Sequence, residues 1–366
     1  MARQRRAPLH SLLLSLVYHL IRLIAYAWGL PCELDKGCDG SENSTVTLKK
    51  SGRPGIRFPQ DEGAHPAFPA EWWYGHFSLT DSEGKEYGAM VAYFTIGLKI
   101  LSISDLGTGQ FHHFVSGSAL HNVAKKLDLR WGRDRWFCTD QHSQSYRLES
   151  YGAGLGLNLA LVSEKPPLLG SGGGISKWTG GDSHYYSLTR LKAKGLIDIA
   201  GTKLDVEGIG WMDHQWINSL GQGGWDWFAV QLDNNTEMVF WHIVKPDESV
   251  KSCDLTIMFP DNSVYHTRDL SLEKMDSWVS PKSGREYGVL WRVREKARGL
   301  DLLLRARHAQ QEIRMFESLS IPTFHFWEGR TTVSGYLDGK AVSGIGYAEQ
   351  VRLPAPLSNL YSIPLR

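Results

Sequence analysis

Near the middle of the chain, Gly210-Trp211-Met212-Asp213-His214-Gln215-Trp216 is followed closely by Gly224-Trp225-Asp226-Trp227-Phe228. Two acids and a histidine thus sit among four tryptophans. A carboxylate near apolar rings loses its hydration, which is costly unless the group is hydrogen-bonded or protonated. Such a site can hold a carboxyl neutral near pH 7 and make it a proton donor. The plainer alternative is a tryptophan-rich junction between two sheets, with Asp213 satisfied by backbone donors. Glu71, in Ala70-Glu71-Trp72-Trp73-Tyr74, is a second acid–base candidate, and His184 and His214 could orient water or the acid. Trp72, Tyr74, Tyr186, Trp211, Trp225 and Trp227 are the candidate walls of an apolar site.

Other chemistries find little support. No Gly-x-Ser-x-Gly elbow and no His-Glu-x-x-His motif is present. The glycine run Gly170-Ser171-Gly172-Gly173-Gly174 is not a phosphate loop, because Lys177 is followed by Trp178, and it is expected to be a surface loop. Cys32, Cys38, Cys138 and Cys253 match no zinc spacing; Cys32 and Cys38 could close a small loop in an oxidising compartment. His65, His76, His184 and Asp213 could be combined into a metal site only by assembling distant ligands, so neither metal nor cofactor is expected. A net charge of +1 gives no electrostatic case for nucleic acid.

The elements that would position these residues are strands. With 14 Trp, 14 Tyr, 13 Phe and 38 Gly, the composition favours sheets and turns over helices. In the stretch from Glu71 to Leu79, Trp73, Phe77 and Leu79 share one face of a strand, and Trp72, Tyr74 and His76 the other. A polar turn at Asp81-Ser82-Glu83-Gly84-Lys85 and a return strand over Tyr87–Ile96 complete a hairpin. The pattern recurs: Trp225–Leu232, a turn at Asp233-Asn234-Asn235-Thr236, then Glu237–Val244. Further short strands are expected over Gln110–Ala119, Leu127–Trp131, Tyr146–Ser150, Leu155–Val162, Asp254–Phe259, Ser263–Arg268, Gly288–Val293, Leu300–Ala306 and Thr331–Leu337. His184, Tyr186 and Arg190 would share a face, and Lys192–Gly208 would form a hairpin leading to Asp213. The rhythm predicts an all-β protein of antiparallel barrels or sandwiches.

At the N-terminus, Arg3, Arg5 and Arg6 precede an apolar run from Leu12 to Leu30, interrupted by His19 and Arg22. It is expected to be a signal peptide or an amphipathic helix at a membrane surface, which would place the protein outside the cytoplasm or on a membrane; a cytoplasmic extension is the alternative.

Five motifs occur in order: Ala70-Glu71-Trp72-Trp73-Tyr74, Lys165-Pro166-Pro167, the stretch His184–Leu191, Trp211-Met212-Asp213-His214-Gln215-Trp216, and Gly224-Trp225-Asp226-Trp227-Phe228. Together they resemble the hydroxyneurosporene synthase/AttH-like family, which includes carotenoid hydratases and kievitone hydratase. The resemblance runs from about residue 55 to the C-terminus. It implies two lipocalin-like antiparallel β-barrel domains packed together, at 55–215 and 216–366, after a signal or amphipathic segment and linker at 1–54. It implies a hydrophobic, often terpenoid or polyketide-like, substrate between the barrels, without fixing the reaction. Gln215 stands where the resemblance places Glu in many members, which puts any role for that acid in doubt here.

The leading expectation is a hydratase-like lyase using Asp213 as the acid on an isoprenoid or carotenoid-like alkene. The alternatives are a non-catalytic lipid or pigment carrier of lipocalin type and a pericyclase- or isomerase-like enzyme. In each case the partner is a hydrophobic small molecule.

Overall fold

The computed structural model describes residues 55–352 apart from residues 69, 123–124, 179–180, 219–222 and 316–323. The N-terminal segment, with Cys32 and Cys38, lies outside the described residues.

Two antiparallel sheets make up almost all of the described chain. The first runs, strand by strand, Phe111–Gly117, Leu98–Asp105, Glu86–Phe94, Ala70–Asp81, Thr202–Ile217, Gly181–Ile199, Leu155–Ser163, Ser145–Gly152, Asp134–Asp140, Asp128–Trp131 and Leu120–Asn122. The second runs Val264–Thr267, Val250–Met258, Glu237–Val244, Gly224–Leu232, Lys340–Arg352, Phe324–Leu337, Leu300–Ala306, Glu286–Glu295 and Ser271–Val279. The units share a plan: the opening strand pairs on one side with its hairpin partner and on the other with the unit's last strand. The chain passes from one sheet to the other between Ile217 and Gly224.

Each sheet curls around its own apolar core. In the first, Trp73, Phe77 and Leu79 meet Leu101 and Ile103 from one flank and Leu129 and Trp131 from the other, which requires the two flanks to approach. The second encloses Phe228, Phe240, Ile257, Trp291 and Trp327. A third cluster lies between the sheets and contains Tyr74, Tyr185, Trp211 and Trp227 from the face opposite the barrel cores. Strand alternation is the cause: Trp73 and Phe77 point into the barrel while Tyr74 points into the seam.

Several strands escape recognition in the sequence for physical reasons. Leu98–Asp105 is buried on both faces and so lacks polar alternation. Ser271–Val279 is an edge strand exposed along most of its length and reads as a loop. Lys340–Arg352 carries Gly344 and Gly346, where a Cβ would come within 2.4 Å of Gln231 O and 2.9 Å of Ala229 O. Glycine there permits close strand approach rather than marking a turn.

The hairpin expected at Lys192–Gly208 is longer and carries Asp213 itself, spanning Gly181–Ile199 and Thr202–Ile217. Its turn has Ala200 at φ 53° and Gly201 at φ 89°, the left-handed pair that suits a tight hairpin. A register shift between Leu188 and Leu191 breaks the simple alternation. Tyr186 and Leu188 face the barrel core before it and Leu191 after it, while Arg190 turns towards the second sheet. Arg190 therefore does not share the barrel-facing side with Tyr186. Nor is the glycine run a free surface loop. Gly170–Gly172 is a short 3-10 turn with Ser171 at φ 53° and Gly172 at φ 72°, and a Cβ on Gly172 would lie 3.0 Å from the His266 ring of the second sheet.

A polar clamp crosses the seam beside this turn. Lys165 of the Lys-Pro-Pro motif is buried; its Nζ lies 2.5 Å from Glu237 Oε2 and donates to the carbonyls of Asn235 (2.6 Å) and Phe259 (3.0 Å). Arg190 Nε meets Glu237 Oε1 at 2.5 Å. A buried carboxylate with two cations and further hydrogen bonds fixes how the sheets dock, whatever its net energy.

Candidate active site at the seam

Asp213 is buried in the seam, and its neighbours follow from register. Tyr74 is its partner on one adjacent strand and Ser187 on the other. Ser187 Oγ and Trp211 Nε1 each donate to Asp213 Oδ1 at 2.6 Å. The Tyr185 hydroxyl, 3.0 Å from Ser187 Oγ and also bonded to Asp213, accepts from Trp227 Nε1 at 3.3 Å. Burial pushes the Asp213 carboxyl up to about 7, against the opposing effect of these donors; the Glu349 carboxylate pushes in the same direction as burial. Oδ1 thus accepts from both Ser187 and Trp211, and Tyr185 bonds to the same carboxyl group.

The second sheet supplies two more carboxyls. Glu328 and Glu349 face each other in register, and both are held above the usual carboxylate range by burial first; for Glu328 the charge of Glu349 adds to this. Like charges directly opposite on neighbouring strands repel, and a proton shared between them relieves this. The two are hydrogen-bonded to each other, Tyr74 OH donates to Glu328 Oε2 at 3.0 Å, and Trp225 Nε1 donates to Glu349. Acidic groups from both sheets thus meet around the same aromatic rings. His76 lies between Tyr347 (ring centroids 4.5 Å apart) and Trp211 (6.0 Å). Burial pushes it down to about 3, so it is neutral, and its Nε2 has no hydrogen bond among the described residues. Trp72, Phe94, Trp225 and Trp241 are half-buried around this cluster.

The sequence candidates fall into two groups. Asp213, Trp72, Tyr74, Trp211, Trp225 and Trp227 come together in the seam. Glu71, His184, His214 and Tyr186 lie on the opposite face, inside the first barrel, because His214 follows Asp213 and side chains alternate. There His214 Nε2 and His65 Nδ1 are each 2.8 Å from Glu71 Oε1, and the His65 backbone N–H donates to Oε2 at 2.9 Å. Burial raises the Glu71 carboxyl, but these hydrogen bonds outweigh it and leave the group below its usual range. His214 stacks on Trp73, and His184 stacks on Trp216. His76 and Asp213 face the seam, so they cannot join His65 and His184 in one metal site; His65, Glu71 and His214 bring their ligand atoms within 4.8 Å of one another instead. Gln215 donates from Nε2 to Ser183 Oγ at 2.8 Å.

Glu328, Glu349, Tyr185, Ser187, Tyr347 and His76 are seam residues that sequence reasoning does not place in the site. A signal existed for the two glutamates. Each sits two residues from seam-facing apolar side chains, in Phe326-Trp327-Glu328 and Tyr347-Ala348-Glu349-Gln350-Val351.

Comparisons with known proteins agree with this architecture. A model of the AttH-like family matches residues 49–351. Among solved structures, an AttH candidate from Nitrosomonas europaea is 22% identical, with a TM-score of 0.72 over 82% of this chain and 98% of the other. Kievitone hydratase from Nectria haematococca is 20% identical, with a TM-score of 0.69 over 87% of this chain and 98% of the other. CghA, solved with Sch210972, is 14% identical, with a TM-score of 0.58 over 84% of this chain and 96% of the other. No curated protein sequence matches the chain closely enough to count as a relative.

Proposed function

The chain belongs to the AttH-like family, and from that premise and the geometry of the seam we propose an acid-catalysed, hydratase-like lyase acting on an apolar alkene bound between the two sheets. The observation that carries this reading is Asp213: buried, anchored through Oδ1 by Ser187 and Trp211, with its carboxyl pushed up to about 7 by burial. A general acid works best when its pKa lies near the working pH.

In the forward direction the Asp213 proton passes to one alkene carbon, leaving a cation on the other. The faces of Trp72, Trp211, Trp225 and Trp227 stabilise that cation. Water adds to it, and the water's surplus proton returns to the Asp213 carboxylate, so one water is gained and the acid is regenerated. Neutral His76, with Nε2 unpartnered among the described residues, is placed to orient the water. Glu71, His184 and His214, on the far face of the strands, act on the position of the Asp213 strand rather than on substrate. Kievitone hydratase, a hydratase by name with the same fold, supports the reaction class; the apolar seam supports an apolar substrate, and its isoprenoid character is part of this proposal.

The test is incubation of the purified protein with extracted lipids and alkene-bearing isoprenoids, followed by mass analysis of the ligand. A gain of one water, lost in Asp213→Asn with ligand binding retained, is the expected result. Ligand recovered unchanged would favour a carrier. A product of equal mass formed equally well by Asp213→Asn would favour a pericyclase-like reaction.

A further inference from the structure

The structure assigns a divalent-metal site, of zinc type, to His65, Glu71 and His214 inside the first barrel, separate from the seam and independent of the reaction proposed there.

The donor set is chemically suited to zinc: two imidazoles and one carboxylate. His65 Nδ1 and His214 Nε2 converge on a single oxygen, Glu71 Oε1, at 2.8 Å each. Ligands about 2.1 Å from a tetrahedral ion are about 3.4 Å apart, so the two 2.8 Å contacts would lengthen and the His65–His214 pair, now within 4.8 Å, would adjust to the same spacing around the metal. Glu71 and His214 are fully buried and His65 is 17% exposed, which leaves an approach from one side. Among the described residues, the ion pairs of Glu71 are with His65 and His214.

The surroundings fit as well. Metal-bound histidines commonly hand their second N–H to a carboxylate. His65 Nε2 lies 3.4 Å from Asp61 Oδ1, and Asp61 is itself held by the Arg57 backbone N–H at 2.6 Å. The carboxylates of Glu71 and Asp61 together would balance a divalent ion. His65 is stacked on Trp216 at 3.8 Å, which fixes the ring with Nδ1 towards Glu71.

The ion would have a structural task. His65 belongs to the segment preceding the first strand, which lies against the barrel interior through Trp73 Nε1 to Glu62 O, Tyr146 OH to Glu62 Oε1 and the Phe58–Tyr186 contact. His214 belongs to the strand that carries Asp213 on its other face. A metal at this point would tie the entry segment to the strand that bears the proposed acid, and would overturn the sequence expectation of no metal.

Cobalt(II) is a suitable probe, because its visible bands report the ligand set. Full-length protein stripped with a chelator, loaded with cobalt and desalted should retain one equivalent per chain. The spectrum should show tetrahedral or five-coordinate bands without a thiolate charge-transfer band, which excludes the cysteines. His65→Ala, at the exposed edge, should still fold and bind cobalt at least ~10-fold more weakly, with Glu71→Gln showing the same loss. Failure of the wild-type protein to retain cobalt would show a clasp made only of hydrogen bonds and overturn the assignment. Equal binding by His65→Ala, or a thiolate band, would do the same.

Discussion

Replacing Asp213 by Asn should make the protein more stable at alkaline pH while removing its proposed acid. In the native state the Asp213 carboxyl is pushed from 3.8 up to about 7 by burial. Between those values the folded protein holds a proton that the unfolded chain has released. Stability therefore falls as pH rises through this window and levels off above it, and the contribution is fully favourable only below about 4. At about 1.4 kcal/mol per tenfold change in proton affinity, the gap amounts to about 4 kcal/mol above pH 8, of which about 2.5 kcal/mol develops between pH 5 and 8. Asn cannot ionise, yet its carbonyl can still accept from Ser187 Oγ and Trp211 Nε1. Urea unfolding of both proteins across pH 5 to 8 isolates the effect, because Glu328 and Glu349 titrate in each. The difference in unfolding free energy should move in favour of Asp213→Asn by about 2.5 kcal/mol across that range. A difference that stays flat would mean that native Asp213 is already ionised at pH 5, and would refute the neutral-acid argument.

Trp211→Phe removes a donor to the Asp213 anion, so the limb of the pH profile set by Asp213 should move up by about one pH unit, the worth of a hydrogen bond to a charged group; pH–rate or pH–stability curves would show it. Lys165→Met strips one cation from buried Glu237 and should cost about 3 kcal/mol, with Arg190 limiting the loss, as read by urea unfolding. Gly208→Ala would place a Cβ 2.0 Å from the Ser78 carbonyl oxygen across the central strand pair, and should lower stability by at least ~2 kcal/mol in the same assay.

Much of this protein is legible from alternation. The split of Trp73 and Phe77 from Tyr74 and His76, and the recurrence of the hairpin at Trp225, follow from period-two patterning and turn residues, and they lead directly to two sheets with a seam. The same rule, applied across one more residue, separates Asp213 from His214; motif proximity along the chain suggests a shared site, but adjacent strand residues face opposite ways. Glu328 and Glu349 were harder to find. They lie more than a hundred residues beyond Asp213; Trp225 meets Glu349 within the second sheet, but only the docking of that sheet brings Glu328 opposite Tyr74. The bulge between Leu188 and Leu191 was likewise hidden, since nothing local marks the skipped register that turns Arg190 towards Glu237.

Asp213 acting as a proton donor in the seam is the central claim, and its most direct test is the mass of a bound alkene after incubation with wild-type protein and with Asp213→Asn in isotopically labelled water. The prediction is a product heavier by one labelled water from the wild-type protein, and the same ligand bound but unchanged in the variant. Equal hydration by both proteins would contradict it.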